Sequence, residues 1–231
     1  MRHRTRFLEG LGALNFSCLV FLVGVLASTN LFAREANGRS GSFRVCADPN
    51  NLPYSDRAGN GFENAIAELL AHDLRLVLEY TWWPQRRGFI RSTLNAGKCD
   101  VVMGLPYGIE NVSTTNPYYR SSYTFLYRKD EGFTISSLDD EVLLDLKIGV
   151  HLIGDDYMNS PPAHALSKRG IVDNVVGYSA LGDYAKESPT SNLVEAVINK
   201  EVNVAILWGP IAGYFASKNN NALILEPILP G

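Results

Sequence analysis

The stretch that most constrains the fold is residues 43–70, which predicts a β-strand, a long polar loop and an α-helix in succession. The run FRVCA at 43–47 is typical of a short strand, and the loop after it is rich in Asn, Pro and Gly. Phe62, Ile66 and Leu69 then recur at helical spacing. Because ligands bind beyond the carboxyl ends of strands in open α/β sheets, the long loop predicts one wall of a binding site.

The alternation of strand and helix continues along the chain and restarts near Lys147. Strand-like segments are residues 76–81, 99–104, 148–150, 172–177, 202–207 and 222–225, and helix-like segments are 86–96, 164–168, 192–200 and 211–218. This order predicts parallel strands joined by right-handed crossovers in two α/β lobes. We expect lobe 1 at 43–127, lobe 2 at 128–225, extended hinge crossings and a ligand cleft between the lobes.

The N-terminus predicts export. A basic start, a short apolar run at 18–27 and the small residues Ala27, Ser28 and Ala33 are typical of a secretory signal peptide over 1–33, cleaved after Ala27 or Ala33. The alternative is a membrane anchor, but the apolar run is shorter than the ~20 residues that cross a bilayer. We therefore expect a periplasmic protein with no stable anchor after cleavage.

Removal of the predicted signal peptide changes the net charge and the cysteine count of the mature chain. The chain has 21 basic and 24 acidic residues; residues 1–33 hold three basic and one acidic, which leaves 18 and 23, a net charge of −5. An acidic chain without a basic tail argues against nucleic-acid binding. Cys46 and Cys99 remain, and in an oxidising compartment they are either disulfide-bonded or two buried thiols on neighbouring strands.

Several motifs resemble a known family. Gly61-Phe62-Glu63, the segment GKCDVV at 97–102 and Pro117-Tyr118-Tyr119 resemble the type II periplasmic solute-binding proteins of family 3. The longer segments RVCADPNNLPYS, YTWWPQRRGFIRSTLNAGKCDVVMG and TTNPYYRSSY are similar to the quinoprotein-dehydrogenase-associated binding proteins, the J proteins of methanol-oxidation operons.

The resemblance implies a bilobal fold of two mixed-sheet α/β lobes and a periplasmic accessory of a PQQ-dependent methanol dehydrogenase. Such an accessory would aid assembly or activation of the dehydrogenase through protein contacts and would hold no cofactor itself. The family also continues beyond residue 231, so we expect residues 226–231 to begin a return crossing to lobe 1 and the C-terminus to be truncated.

One departure concerns the ligand of the wider superfamily. Amino-acid binders hold the ligand carboxylate with an Arg before the Pro-Tyr-Tyr motif, but residues 108–116 contain no Arg. They hold the ammonium with an Asp after the penultimate strand, where this chain has Trp208. A buried ligand charge without a partner is strongly disfavoured, so we do not expect an amino-acid ligand.

The first loop supplies one group of candidate binding residues. Asp48, Asn50, Asn51 and Tyr54 are expected to face the cleft, where they would bind a polar ligand or a loop of a partner. The alternative is that Asp and Asn only hydrogen-bond their own turns, as they do in many loops. The sequence leaves both interpretations open.

A second group is the segment WWPQRR at 82–87 with the connection after it. We expect one Trp to fill the core, and Arg86 and Arg87 to bind a protein partner or the carboxylates of an acidic ligand such as PQQ. The alternative is that these arginines only cover a helix start. The expected binding set of this region is completed by Trp82, Gln85, Pro106, Tyr118, Arg120 and Trp208.

Catalytic motifs are scarce. The sequence shows neither metal-ligand spacing, nor a G-x-S-x-G elbow, nor a phosphate loop, so we expect no catalytic residue and no metal. Three functions stay open: an interaction protein, an ABC-transporter receptor for a ligand other than an amino acid, and a dehydratase-like enzyme on the same fold. The accessory role is the expected one.

Overall fold

The computed structural model describes residues 41–109, 111–153, 158–180, 189–219 and 222–228. The predicted signal peptide at 1–33 and the last residues of the predicted return crossing, 229–231, lie outside the described residues.

The first lobe is built on a three-stranded sheet in the order β4-β1-β5, and both pairings are parallel. Strand β1 is paired with β4 over six residue pairs, from Ser42 opposite Val77 to Ala47 opposite Trp82. The elements are β1 (Ser42–Ala47), the hairpin of β2 (Asn50–Asn51) and β3 (Ser55–Asp56), α1 (Phe62–Leu74), β4 (Val77–Trp82), α2 (Phe89–Ser92) and β5 (Val101–Val102).

The second lobe is built on a six-stranded mixed sheet in the order β11-β6-β10-β7-β8, with β9 paired to β7. Its parallel pairs are β10 with β7 and β7 with β9. The elements are β6 (Tyr123–Arg128), β7 (Ile148–Ile153), β8 (Met158–Asn159), α3 (Pro161–Ser167), β9 (Val175–Ser179), α4 (Asn192–Ile198), β10 (Val204–Trp208), α5 (Gly209–Ser217) and β11 (Leu223–Pro227).

The central strands of the second sheet are buried on both faces. Along β10, Val204 and Ile206 pack into one apolar cluster, and Ala205 and Leu207 pack into another on the opposite face. Successive side chains of a strand point to opposite faces, so an uninterrupted apolar run requires a cover on each side. Helices α4 and α5 supply one cover through residues such as Leu193.

Two predictions about element extent are wrong. The expected helix 86–96 is reduced to Phe89–Ser92, because Thr93 Oγ1 donates to the Phe89 carbonyl at 2.6 Å and the chain then turns through Gly97 at φ 67°. The expected strand 99–104 is confined to Val101–Val102.

The sequence sets lobe 1 at residues 43–127 and indicates an extended segment at 122–128 that leaves this lobe. In the structure, residues 123–128 form β6, which pairs with β10 and β11 in the second sheet. Likewise, Glu226 and Pro227 belong to β11 and face Phe125 and Thr124. Alternating apolar residues indicate a strand but do not show which sheet it joins, because the partner strands are distant in sequence.

Candidate functional site

The loop after β1 is a hairpin fixed from within by Asp48. The Asp48 carboxylate, 2% exposed, accepts hydrogen bonds from the backbone N–H of Asn50 at 2.8 Å and of Gln85 at 2.6 Å. Its own carbonyl accepts from Ser55 Oγ at 2.9 Å. Asp48 therefore holds the loop and the segment after β4 together, which is the structural role that the sequence left as an alternative to ligand binding.

Side chains on both sides of this loop form further hydrogen bonds that hold it in place. Asn51 Nδ2 donates to Gln85 Oε1 at 3.0 Å, so two predicted site residues bind each other. Asn64, 1% exposed, accepts from the N–H of Asp56 and of Gly61, both at 3.1 Å, and donates to the Tyr80 hydroxyl. These contacts connect the hairpin to α1 and β4.

The hairpin also contacts the second lobe. Tyr54 packs against the apolar cluster of the second sheet that contains Leu126 and Leu207. Thr190 Oγ1 donates to the carbonyl of Leu52 at 2.9 Å, across 138 residues of sequence. Burial raises the pKa of the Tyr54 hydroxyl, in agreement with its position between the two lobes.

A chain of aromatic rings runs from the hairpin to the second sheet, and we call it the aromatic bridge. Adjacent ring centroids are 5.5 Å apart for Tyr54 and Phe62, 5.5 Å for Phe62 and Tyr119, and 5.2 Å for Tyr123 and Trp208. Between the two halves, the Trp208 indole lies close enough to the Tyr119 hydroxyl to oppose the rise in its pKa that burial causes. The aromatic bridge consists of Tyr54, Phe62, Tyr118, Tyr119, Tyr123 and Trp208.

Glu63 is a buried carboxyl beside the aromatic bridge. It is 7% exposed in the first turn of α1, and burial raises the pKa of its carboxyl to about 7. Gly104, at φ 68°, lies against it so closely that a Cβ there would overlap Oε1. The Gly104 N–H donates to the Tyr118 hydroxyl at 3.0 Å, and burial raises the pKa of Tyr118 to about 12.

Trp82, the last residue of β4, and Trp83, the residue after it, have different environments. Trp82 is half-buried, stacks on Tyr80 with centroids 4.4 Å apart, and has the Arg57 guanidinium 5.8 Å from its ring centroid. Trp83 is 40% exposed, and Lys98 Nζ lies 4.5 Å from its ring centroid. Trp82 packs on the sheet, whereas Trp83 presents its ring to solvent.

The remaining predicted site residues are at the surface. Gln85, Arg86 and Arg87 are exposed beside Trp83, and Arg86 and Arg87 take part in contacts within the chain. Pro106 and Arg120 are exposed on the connection between β5 and β6. Among the residues that the structure describes, Arg120 makes no hydrogen bond or ion pair. Tyr118, on the same connection, belongs to the aromatic bridge, whereas Arg120 is not part of it.

The two cysteines of the first lobe are bonded. Cys46 and Cys99 form a disulfide with Cα atoms 5.5 Å apart, which confirms the first of the two alternatives drawn from the sequence. Cys46 lies in β1 and Cys99 just before β5, and both pack against Phe89 of α2. The bond therefore lies under the segment that carries Trp83 and Lys98.

Several residues at the site were missed by sequence reasoning. Glu63 and Tyr119 stand out in the sequence only as parts of family motifs, because burial cannot be deduced from a local motif. Thr190 has no sequence signal at all. His151, inside β7, is half-buried: burial lowers its pKa, and Nε2 lies 3.3 Å from Asn192 Oδ1.

The site offers no evident means of holding a metal. Within the described part of the chain, no group of three or more His, Cys, Asp or Glu side chains is arranged to bind a metal ion. Over the same residues, we find no helix with the length and hydropathy that a bilayer crossing requires.

Several known proteins are similar to this chain in sequence or in fold. No protein-family model matches the chain. MoxJ of Paracoccus denitrificans is 36% identical over 111 residues, which are 48% of this chain and 40% of MoxJ. The periplasmic binding protein XoxJ of Methylobacterium extorquens AM1 is 35% identical in a superposition that covers 82% of this chain and 78% of XoxJ, with a TM-score of 0.66.

The chain belongs to the family of periplasmic binding proteins that contains XoxJ and MoxJ. MxaJ of Methlophaga aminisulfidivorans MPT is 25% identical and superposes with a TM-score of 0.68 over 81% of this chain and 78% of MxaJ. Membership in the XoxJ and MoxJ family confirms the resemblance drawn from the sequence motifs and the bilobal α/β fold of periplasmic binding proteins.

Proposed function

We propose that this protein is a periplasmic accessory of a PQQ-dependent methanol dehydrogenase and aids assembly or activation of that enzyme through protein–protein contacts. Membership in the XoxJ and MoxJ family supports this role. The export signal predicted at residues 1–33 supports a periplasmic location.

The observation that carries the proposal is the aromatic bridge. Where amino-acid binders hold the ligand ammonium with a carboxylate, this protein has Trp208, and its ring contacts Tyr123 at 5.2 Å between centroids. The Trp208 indole lies near the Tyr119 hydroxyl, and Tyr119 packs on Phe62 at 5.5 Å. Aromatic contacts within the protein, in place of the carboxylate that amino-acid binders have at this position, favour a role for the outer surface of the protein.

Asp48 gives further support. A receptor or a dehydratase-like enzyme would need a polar group in the cleft that is available to its ligand. The Asp48 carboxylate instead accepts two backbone N–H groups, at 2.8 Å and 2.6 Å, and is 2% exposed. Its hydrogen bonds maintain the hairpin, so the most prominent acidic residue of the first loop has a structural role.

Equilibrium binding to the purified methanol dehydrogenase of the same organism tests the proposal. We expect the protein to bind the apo enzyme more tightly than the PQQ-loaded enzyme and to accelerate recovery of activity when PQQ is added. The Arg86→Ala/Arg87→Ala variant tests the contribution of the predicted arginines. Failure to bind either form of the enzyme would refute the accessory role.

A thermal-shift screen separates this function from that of a solute receptor. A ligand of the cleft at a hundred times its dissociation constant would add about 2.7 kcal/mol to the free energy of unfolding. We expect no shift of that size from PQQ, small alcohols, organic acids or amino acids. A shift with one of these compounds would favour the receptor.

A further inference from the structure

Positive charge is concentrated in one segment of this acidic protein. Residues 80–99 contain four basic residues and no acidic residue, whereas the whole chain has 21 basic and 24 acidic residues. The four are Arg86, Arg87, Arg91 and Lys98. Together with Trp83 they make up what we call the Trp83 face.

Trp83 is an exposed aromatic residue within this basic segment. Its side chain is 40% exposed although Trp is the largest apolar residue, and Lys98 Nζ lies 4.5 Å from its ring centroid. Trp and Arg are among the residues most enriched at the hot spots of protein interfaces. An exposed ring with a lysine ammonium beside it, in a segment with three arginines and no acidic residue, therefore indicates a binding surface with a positive potential.

The Trp83 face is also held rigidly. The Trp83 N–H donates to the Ala47 carbonyl at 3.0 Å, and Thr81 Oγ1 donates to the Lys98 carbonyl at 3.0 Å. The disulfide between Cys46 of β1 and Cys99 fixes the residue next to Lys98 to the sheet. A surface that is fixed before binding loses little conformational entropy when a partner docks.

We propose that the Trp83 face is the docking surface for an acidic patch of the partner dehydrogenase, with Trp83 inserted in a pocket of the partner and Arg91 and Lys98 paired with carboxylates around it. This inference rests on the proposed function and assigns the contact to the outside of the first lobe. An anionic membrane is the weaker alternative, because interfacial binding requires a broad apolar face and Trp83 is a single ring.

Binding kinetics on the immobilised dehydrogenase test the proposal with full-length variants. We expect Trp83→Ala to weaken binding about tenfold or more, mainly through faster dissociation. Arg91→Glu/Lys98→Glu should slow association roughly three- to tenfold at low salt, and the difference from the wild type should shrink as salt is raised. All positions are on the surface, and unchanged thermal midpoints verify that the variants fold.

A matched control comes from the second lobe, where Lys218 Nζ lies 4.2 Å from the Tyr214 ring centroid. Lys218→Glu removes the same kind of cation–π pair and should leave the kinetics unchanged.

If the wild type binds and the three Trp83-face substitutions bind within twofold of it, the docking surface is refuted while the accessory function stands. If the wild type does not bind the dehydrogenase, both the docking surface and the accessory function are refuted. If Trp83→Ala loses binding to phosphatidylglycerol vesicles while its binding to the dehydrogenase is unchanged, the Trp83 face is a membrane-binding surface instead.

Discussion

At the scale of single residues, Glu63 shows two opposing effects on one carboxyl. Its position in the first turn of α1 favours the ionised form, because the helix N-terminus carries partial positive charge. Burial disfavours that form and prevails, since the pKa is raised to about 7. The ionisable groups that interact electrostatically with Glu63 are the hydroxyls of Tyr54, Tyr80, Tyr118 and Tyr119, which offer no positive charge to offset burial.

The raised pKa predicts a loss of stability with increasing pH. Below the ordinary value of 4.5 the carboxyl is protonated in both the folded and the unfolded states, so it has no effect. Between that value and about 7 only the unfolded state releases its proton, so the free energy of unfolding falls, by about 3 kcal/mol in total. Glu63→Gln should remove this part of the pH dependence.

Urea unfolding of the wild type and Glu63→Gln from pH 4 to 8 measures that difference. We expect the two proteins to be similar at pH 4 and the variant to be more stable at pH 8. Parallel curves across the whole range would show that Glu63 is not titrating in this interval.

At the scale of elements, the short helix α2 depends on its tertiary contacts. Four residues are far below the length at which an isolated helix is stable in water. Phe89 of α2, 5% exposed, packs against Cys46 and Cys99, so the disulfide forms part of the surface that supports it. The length of α2 is therefore determined by the packing of Phe89 on Cys46 and Cys99 more than by helix propensity.

Removal of the disulfide should destabilise the first lobe. The bond closes 53 residues of sequence, and cross-links of this kind contribute about 2 to 4 kcal/mol to stability, mainly by restricting the unfolded chain. We expect Cys46→Ala/Cys99→Ala to lower the free energy of unfolding by this amount. Reductant should destabilise the wild type and leave the variant unchanged, and an equal response of both proteins would contradict the prediction.

At the scale of the whole molecule, the hairpin of β2 and β3 connects the two lobes. Its Tyr54 packs in the second core, its Leu52 carbonyl accepts from Thr190, and the aromatic bridge extends the contact to Trp208. Each contact joins residues that are far apart in sequence. Together they connect the two lobes by interactions within the protein.

Weakening these contacts should open the molecule. Thr190→Val removes one hydrogen bond with little change of shape and should cost about 1 kcal/mol. Tyr54→Ala removes a ring from the second core and should cost more. Small-angle scattering should show a larger radius of gyration for Tyr54→Ala. The control is Tyr107→Ala, since Tyr107 is 74% exposed, and an equal radius for Tyr54→Ala and this control would disprove the role of the hairpin.

Much of this protein could be predicted from local pattern. The alternation of strand and helix, the family motifs and the loss of the amino-acid charge partners all depend on residues close together in the chain. Trp208 could be identified in this way because the strand before it, VAILW at 204–208, is a clear apolar run. The boundaries of α2 could not, because they depend on Thr93 and on the packing of Phe89.

The sequence by itself determined the order of elements, the two alternatives for Cys46 and Cys99, a disulfide or two buried thiols, and the absence of an Arg in residues 108–116. The tertiary structure alone decided that β6 joins the second sheet, that the Asp48 carboxylate is used within its own loop and that Glu63 is buried beside the aromatic bridge. The physical reason is range: periodicity and turn chemistry act over a few residues, whereas burial and strand pairing depend on groups such as Leu52 and Thr190, 138 residues apart.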